Sequence, residues 1–358
     1  MQRRSLMHLP VATLLAAALG ATLGTPALAG DTYTVHALVS DGSVAADHTD
    51  AKLKNPWGVA FNPVGFVWVS NNHTGTSTLY DGTGVPQTLV VTVPPAPGGG
   101  VGSPTGILFN GTADFAVSAN GKNGVSKFIF CTEDGTISGW APSVDSLNAI
   151  IAVNNPGASY KGLALASTAS GNFLYAADFA NGRIDVFDKN FAPVTTAGGF
   201  VDPMMHTNYA PFNVQAFGNM LYVAYAKKDK GGEDEHAGKG QGFVDLFDGD
   251  GNLVKRLVKR TGLNAPWGLA MAPADFGQYS GALLVGNFGD GTIAAYNPKT
   301  GHFRGYLHGT DGAKLKIDGL WGLSFGNGVF GQPKNALYFA AGVGGEEGGL
   351  YGNVMVTP

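Results

Sequence analysis

The sequence predicts an all-β fold: a six-bladed β-propeller of four-stranded antiparallel blades, with the ring closed by an N-terminal strand. Three observations lead to this prediction. A short phrase recurs six times, short strand-like runs follow each copy, and the strand missing from the last repeat is present near the N-terminus. A fixed period of this size indicates stacked supersecondary units, none of which can bury its apolar face alone.

The recurring phrase resembles Pro-Trp-Gly-Leu-Ala, and its copies start 48, 56, 51, 55 and 54 residues apart. We expect each copy to form the innermost strand of a blade, where glycine lets neighbouring backbones approach closely. The tryptophans would then pack the core between blades; the alternative is a ring of aromatic side chains that stacks a sugar. The copies occupy residues 56–60, 104–108, 160–164, 211–215, 266–270 and 320–324.

Short runs of β-branched and aromatic residues, separated by Gly- and Asn-rich turns, follow every copy and predict antiparallel strands. Four short strands per repeat are typical of propeller blades. In the second repeat, this assignment places the second strand at residues 115–117 and the third at residues 127–130. A β-sandwich is the alternative fold, but it does not predict six copies.

The two ends of the chain predict how the ring closes. The chain stops at Pro358, soon after the third strand of the sixth repeat, and residues 33–39 provide a suitable fourth strand. This pairing would leave no free sheet edge at the seam. The predicted domains are a signal peptide at residues 1–29 and a propeller at residues 30–358.

The predicted signal peptide combines Arg3 and Arg4 with an apolar run at residues 11–23 and an Ala-Leu-Ala cleavage site at residues 27–29. The alternative, a membrane anchor, is disfavoured because the run is shorter than the roughly 20 apolar residues of a spanning helix. We therefore expect a periplasmic or secreted protein with no membrane anchor after cleavage. We also expect a monomer.

Composition narrows the classes of partner. Charged residues make up 13% of the chain, and removal of Arg3 and Arg4 would change the net charge from −4 to −6. No basic run is present, so nucleic acid is not an expected partner. Because Cys131 is the single cysteine, no internal disulfide is expected, and its strand-like surroundings predict a buried, unreactive thiol.

Residues 174–188 resemble an NHL repeat, in which Asp178, Asn181 and the pair Arg183-Ile184 match the repeat pattern. The chain after the leader also resembles a family of uncharacterised exported bacterial propellers. This resemblance implies a six-bladed propeller and export, and the family has no assigned activity. The matching phrases lie at residues 55–58, 71–75, 209–214, 242–248 and 286–291.

Aligned second strands place one carboxylate and several carboxamides near the mouth of the central channel, together with other polar and aromatic side chains. Carboxylate and carboxamide oxygens suit Ca²⁺ or another divalent cation, and lactonase and lyase propellers, which the fold resembles, hold a metal on this axis. Alternatively, Asp178 binds turn amides and pairs with Arg183. The candidate metal ligands are Asp178, Asn71, Asn120 and Asn287. The candidate ligand-face residues are Asn72, His73, Tyr225 and Phe288.

The predicted function is a binding module that uses the channel-mouth face, with a small molecule, a glycan or an envelope protein as partner. The alternative is a metal-dependent hydrolase or lyase of the lactonase type, with His73 as a base. No H-E-x-x-H motif is present. Acidic side chains are scarce in the aligned mouth. Residues 229–239 contain several acidic side chains but lack EF-hand spacing, so this segment is interpreted as a solvated loop. Catalytic residues stay unassigned.

Overall fold

The structure of the protein is a computed structural model that describes residues 30–357. The predicted signal peptide lies outside the described residues. Within the described part, the fold is built from strands and two single-turn 3-10 helices, Asn72–Thr74 and Gly277–Tyr279. No helix in that part has the length and apolar character needed to cross a bilayer.

Outside blade two, the strands follow the predicted order along the chain. The N-terminal strands are β1 (Tyr33–Ser40) and β2 (His48–Thr49). Blade one contains β3 (Pro56–Phe61), β4 (Val67–Asn71), β5 (Thr76–Tyr80) and β6 (Pro86–Thr92). Blade two spans β7 (Pro104–Phe109), β8 (Ala116–Ala119), β9 (Lys122–Val125), β10 (Phe128–Thr132), β11 (Thr136–Trp140) and β12 (Ile150–Asn154).

The remaining blades continue in the same way. Blade three contains β13 (Tyr160–Thr168), β14 (Gly171–Asp178), β15 (Arg183–Phe187) and β16 (Pro193–Val194). Blade four contains β17 (Tyr209–Phe217), β18 (Met220–Lys227), β19 (Phe243–Phe247) and β20 (Leu253–Lys259). Blade five contains β21 (Pro266–Met271), β22 (Leu283–Asn287), β23 (Ile293–Tyr296) and β24 (Phe303–Tyr306). Blade six contains β25 (Leu320–Phe325), β26 (Leu337–Ala341) and β27 (Leu350–Val356).

The six-bladed propeller is confirmed, and the N-terminal strand closes the ring as predicted. Strand β1 pairs antiparallel with β27 and completes blade six, with Tyr33 opposite Val356 and Ser40 opposite Leu350. The hydroxyl of Tyr33 also donates to the backbone oxygen of Phe276 in blade five. The first strand thus holds the ends of the ring together.

The predicted strand order of blade two is wrong. Residues 115–117 do not form its second strand; they lead into a separate hairpin, β8–β9, inserted between β7 and β10. The true second and third strands are β10 and β11. The hairpin turns at Asn120 and Gly121, both of which have positive φ, and an Asn-Gly pair is the sequence signal for a tight hairpin turn.

The recurring glycine allows the innermost strands to touch. A Cβ atom added to Gly58 would lie 2.6 Å from the backbone oxygen of Thr105 in the next blade, and one added to Gly268 would lie 2.6 Å from that of Trp321. Blade four has Asn213 at this position, and its Nδ2 donates to the backbone oxygen of Trp267 at 2.8 Å. The glycine of the phrase is therefore a requirement of close blade packing.

Replacing Gly268 with alanine should lower the free energy of unfolding by about 1–3 kcal/mol, because the new methyl group must displace the backbone of blade six. Chemical denaturation measures the change. Gly100→Ala is the control, since a Cβ atom at Gly100 meets no atom within 4 Å among the described residues. Equal stability of the two variants would contradict the close-packing account.

Between successive blades, apolar side chains form six clusters, each of which joins two neighbours. In the cluster between blades one and two, Trp68 stacks on Phe128 with ring centroids 4.0 Å apart. Each fully buried side chain of this size contributes about 1.5–3 kcal/mol to stability. The predicted burial of Cys131 is also confirmed. Packing between blades thus provides a rigid frame for the channel mouth.

Candidate functional site

The channel-mouth face is the end of the ring at which the innermost strands begin. Here each second strand ends opposite the start of its innermost strand, as the pairs Pro56–Asn71 and Pro266–Asn287 illustrate. The loops from second to third strands, and those that enter the innermost strands, surround this opening. Side chains from different blades therefore meet around one axis.

Aromatic side chains close the channel beneath the mouth. Trp57, Trp267 and Trp321 each occupy the second position of an innermost strand, and none is more than 4% exposed. Trp57 stacks on Trp321 at 3.5 Å between ring centroids, and Trp267 meets both rings edge-on. Because these rings cover one another, they pack the centre of the propeller and leave no tryptophan face free for stacking a sugar.

In blade three, the position that holds these tryptophans holds Lys161 instead. Lys161 is only 2% exposed, and its ammonium lies 2.6 Å from Glu133 Oε1 and 3.3 Å from Asp234 Oδ1. The ammonium also lies 5.4 Å from the ring centroid of Trp57 and 5.9 Å from that of Phe179. Burial lowers the pKa of Lys161, but the carboxyl groups of Glu133, Glu235 and Asp234 together outweigh this effect and raise the pKa above the ordinary value. Lys161 is therefore a buried cation near the axis.

Glu133 connects three blades. It directly follows β10, and one carboxylate oxygen accepts from Lys161 of blade three. The other accepts from Nδ2 of Asn72, in blade one, at 2.8 Å. Its side chain keeps 30% of its surface exposed, so this carboxylate also faces the open mouth.

The connection from β18 to β19 brings two further acidic residues to the mouth. Its base is an isolated antiparallel bridge between Lys228 and Glu235, and the amide of His236 donates to the backbone oxygen of Lys227. This hairpin carries Asp234 to Lys161 and places Glu235 beside it. Most of its residues are exposed, as the interpretation as a solvated loop predicts, and Asp234 itself is 71% exposed.

Glu235 is partly buried, and its carboxyl group makes no side-chain hydrogen bond within residues 30–357. Burial raises the pKa of Glu235 to about 8; the Lys161 ammonium opposes this rise, and the Glu346 and Asp234 carboxylates add to it. At neutral pH, this carboxyl group therefore holds a proton for most of the time. A ligand cation beside it would favour release of that proton.

The fourth carboxyl group, Glu346, lies on the loop after β26. Nδ2 of Asn55 donates to Glu346 Oε2 at 2.8 Å, and Oδ1 of Asn55 accepts from Trp321 Nε1 at 3.2 Å. Burial raises the pKa of Glu346, while the bond from Asn55 lowers it. Asn55 and Glu346 both have positive φ, an uncommon conformation for residues other than glycine that often occurs at binding sites.

We use the name mouth cluster for five residues: Glu133, Asp234, Glu235, Glu346 and Lys161. A second ammonium, that of Lys228, donates to the backbone oxygen of Ala180 at 2.7 Å and lies 5.7 Å from the ring centroid of Phe179. Four carboxyl groups therefore face two ammonium groups. The excess of acidic groups is suited to cations and to ligands rich in hydrogen-bond donors.

Three of the four predicted metal ligands are engaged inside their own blades. Asn71 donates to the hydroxyls of Thr76 and Thr78. Asp178 accepts from the amides of Ser159 and Asn181, in keeping with the structural alternative. Asn287 likewise accepts from the amide of Asn264 and donates to the backbone oxygen of Gly262. All three side chains thus make contacts within their own blades, and Asn71 Oδ1 accepts no hydrogen bond among the described residues.

The fourth predicted ligand, Asn120, lies elsewhere. It is exposed at the turn of the β8–β9 hairpin. This hairpin is inserted at the end of blade two where Phe109 pairs with Phe128, whereas the pair Pro104–Thr132 marks the opposite, mouth end. Its placement at the mouth is wrong because the inserted hairpin was interpreted as a blade strand. Within residues 30–357, no three His, Cys, Asp or Glu side chains form a group that could hold a metal ion.

Of the predicted ligand-face residues, three lie at the mouth. Asn72 binds Glu133, His73 is exposed with Nε2 3.3 Å from Asn55 Nδ2, and Phe288 stacks on Trp321 at 3.9 Å. Tyr225 lies opposite Pro211 at the mouth end of blade four, but it is 4% exposed and packs in the core between blades three and four. Blades one, three and five have a short polar side chain at this position, whereas the ring of Tyr225 points into the apolar core.

The five residues of the mouth cluster were not among the predicted site residues. The signal for Lys161 is a lysine where four of the other five repeats carry an aromatic residue. A lysine that faces the axis requires acidic partners. Glu133 directly follows a second strand, as a mouth residue should, but the wrong strand order of blade two concealed it. The approach of Asp234 and Glu235 depends on the path of a long loop.

The chain has sequence relatives among the proteins of a mimivirus. No family model matches the chain. The chain is 34% identical to the uncharacterized protein R648 of Acanthamoeba polyphaga mimivirus over 338 residues, which cover 92% of this chain and 82% of that protein. It is also 34% identical to the uncharacterized protein L690 of the same virus over 344 residues, or 92% and 87% of the two chains. These relatives are viral, so they give no support for a bacterial, exported family.

Among solved structures, a glucose dehydrogenase superposes with a TM-score of 0.55 at 15% identity, over 90% of this chain and 100% of that chain. At this identity, the similarity shows a shared propeller fold and no more. The mouth cluster must therefore be interpreted from its own chemistry.

Proposed function

The chain belongs to the same family as the mimivirus proteins R648 and L690, and we propose that this member is a ligand-binding module that takes small cationic ligands at its channel-mouth face. The observation that carries the proposal is the excess of acidic groups in the mouth cluster. Four carboxyl groups converge there, and Lys161 already has two of them as close partners. Glu235 and Glu346 are left to contact a ligand.

The geometry supports an amine more than a metal ion. Lys161 occupies the axis with its own ammonium, held by carboxylates and by the rings of Trp57 and Phe179. Carboxylates and aromatic faces are the groups that recognise ammonium ions. A ligand with one or more ammonium groups would extend this pattern by binding between Glu235 and Glu346.

Thermal unfolding with a panel of probes tests the charge preference. Putrescine and spermidine should raise the unfolding midpoint because a ligand that binds only the folded state stabilises it by mass action. Glucuronate and glucose serve as anionic and neutral controls and should leave the midpoint unchanged. A shift with glucuronate but not with the amines would contradict a cation-binding mouth.

A lactonase-like hydrolase or lyase is the second candidate, and the proton held by Glu235 favours it. A carboxyl group with a pKa of about 8 can act as a general acid near neutral pH. Hydrolysis of lactones and esters, measured with EDTA and with added Ca²⁺, tests this candidate. Activity that survives in Glu235→Gln would exclude this role for Glu235. We also propose that a cation stabilises the fold, that the protein is exported and that it is a monomer.

A further inference from the structure

A second buried cluster of charges lies in blade four, apart from the mouth cluster. Asp245 on β19 and Arg256 on β20 are cross-strand partners, and Arg256 Nε lies 3.5 Å from Asp245 Oδ1. The same guanidinium binds the carboxylate of Asp202, which precedes β17. The Asp245 and Asp202 side chains are fully buried, and that of Arg256 is 9% exposed. Two carboxyl groups therefore share one buried cation.

Asp245 is the strained member of this triad. Neither of its carboxyl oxygens accepts a hydrogen bond within the described part of the chain, and Nε of Arg256 also lacks such a bond. The groups that face Asp245 are Arg256 on β20, Asp202 on the preceding loop and Tyr225 on β18. An ionised Asp245 would meet the Asp202 carboxylate in a buried site with only one positive charge between them. A proton on Asp245 removes this repulsion.

The triad also anchors the loop that precedes β17. Asp202 Oδ1 accepts from the amide of Met204 at 2.8 Å, so the partner of Arg256 also orders residues 202–205. Further along this loop, the backbone oxygen of Asn208 accepts from the amide of Lys228 at 2.8 Å. Lys228 begins the hairpin that carries Asp234 and Glu235. A continuous set of contacts therefore connects the triad to the channel mouth.

We propose that Asp202, Arg256 and Asp245 form a pH-sensitive latch. While Asp245 keeps its proton, the triad holds residues 202–208 against blade four. Loss of that proton at mildly alkaline pH sets two buried carboxylates against each other, which releases the loop and loosens the Lys228 end of the hairpin over the mouth. This inference does not depend on which ligand the mouth binds.

The direction of the pH dependence follows from the two states of the chain. Burial and the Asp202 carboxylate raise the pKa of Asp245 to about 8, against the opposing effect of Arg256. In the unfolded chain, the same group has a pKa of about 4. Between these values the folded state binds more protons, so stability falls as pH rises from about 4 to about 8. Glu235 adds a slope of the same sign, so the Asp245 contribution must be isolated with a variant.

Asp245→Asn is the test variant because asparagine keeps the shape of the protonated acid and cannot ionise. Its thermal midpoint should exceed that of the wild type by a margin that widens from pH 5.5 to pH 8. Asp250→Asn, an exposed position in the turn that follows β19, is the matched control and should follow the wild type. A constant difference between Asp245→Asn and the wild type across this range would overturn the proposal.

Amide hydrogen exchange tests release of the loop itself. With a pKa of about 8, the ionised share of Asp245 rises from about a tenth at pH 7 to about nine tenths at pH 9. Protection factors at the amides of Met204 and Lys228 should therefore fall about tenfold in the wild type and stay constant in Asp245→Asn. Unchanged protection in the wild type, or an equal fall in the variant, would overturn the latch.

Asp202→Asn keeps the test decisive if Asp245→Asn does not fold. Asparagine still offers Oδ1 to the amide of Met204, and Arg256 then faces the single carboxylate of Asp245. That carboxylate no longer needs a proton, so the alkaline fall in protection at Lys228 should disappear. A fall in protection at Lys228 that persists in Asp202→Asn would contradict repulsion between the two carboxylates as the cause of release.

Discussion

Removal of residues 30–40 is expected to abolish cooperative unfolding of the propeller. The deletion takes away β1, the outer strand of blade six, together with the buried side chains of Tyr33, Leu38 and Val39. At about 1.5–3 kcal/mol for each large apolar side chain, the loss approaches the 5–15 kcal/mol that stabilises a typical protein. The open edge of β27 would also promote association of the chains.

The measurement is a thermal and denaturant unfolding curve for a chain that begins at residue 41. A chain that begins at residue 30 is the control, because it lacks only the predicted leader. The control should melt cooperatively, and the shorter chain should show a broad transition or aggregate. A sharp, native-like transition in the shorter chain would contradict closure of the ring by β1.

Replacing Lys161 with methionine is expected to have the second-largest effect. The change keeps the length of the side chain near Trp57 and Phe179 but removes the ammonium that Glu133 and Asp234 bind. Breaking a fully buried ion pair costs about 3–5 kcal/mol. Because Glu133 keeps 30% of its surface exposed, we expect a loss of about 2 kcal/mol here.

Chemical denaturation of the variant and the wild type measures this loss. Lys230→Met, at an exposed position on the same hairpin, is the control and should unfold like the wild type. Equal stability of Lys161→Met and the wild type would contradict the role of Lys161 as the buried partner of Glu133 and Asp234.

The fold could be predicted from the sequence because each repeat has to meet the same packing requirement. Gly58 and Gly268 stand where a Cβ atom would collide with the next blade, and a period near 54 residues exposes that requirement in the sequence. Asn213 departs from the pattern and replaces the glycine with a hydrogen bond to Trp267. The strand order of blade two was predicted wrongly because the run Phe115-Ala116-Val117, at the start of the inserted hairpin, resembles a short blade strand.

The site was less predictable because its chemistry depends on contacts between distant residues. Asn71, Asp178 and Asn287 were placed correctly at the ends of their second strands, but sequence could not show that neighbouring turns use their polar atoms. The partners Lys161 and Asp234 are 73 residues apart. Their contact depends on the path of a long hairpin that has no repeat counterpart.

Isothermal titration of the protein with spermidine tests the central claim, that the acidic mouth binds a cation. Glu346→Gln and Glu347→Gln are a matched pair, because Glu346 faces the mouth beside Asn55 whereas the adjacent Glu347 is exposed. The wild type and Glu347→Gln should bind spermidine equally, and Glu346→Gln about tenfold more weakly, a difference of about 1.4 kcal/mol. No heat of binding in the wild type, or equal affinity in Glu346→Gln and Glu347→Gln, would contradict the proposed site.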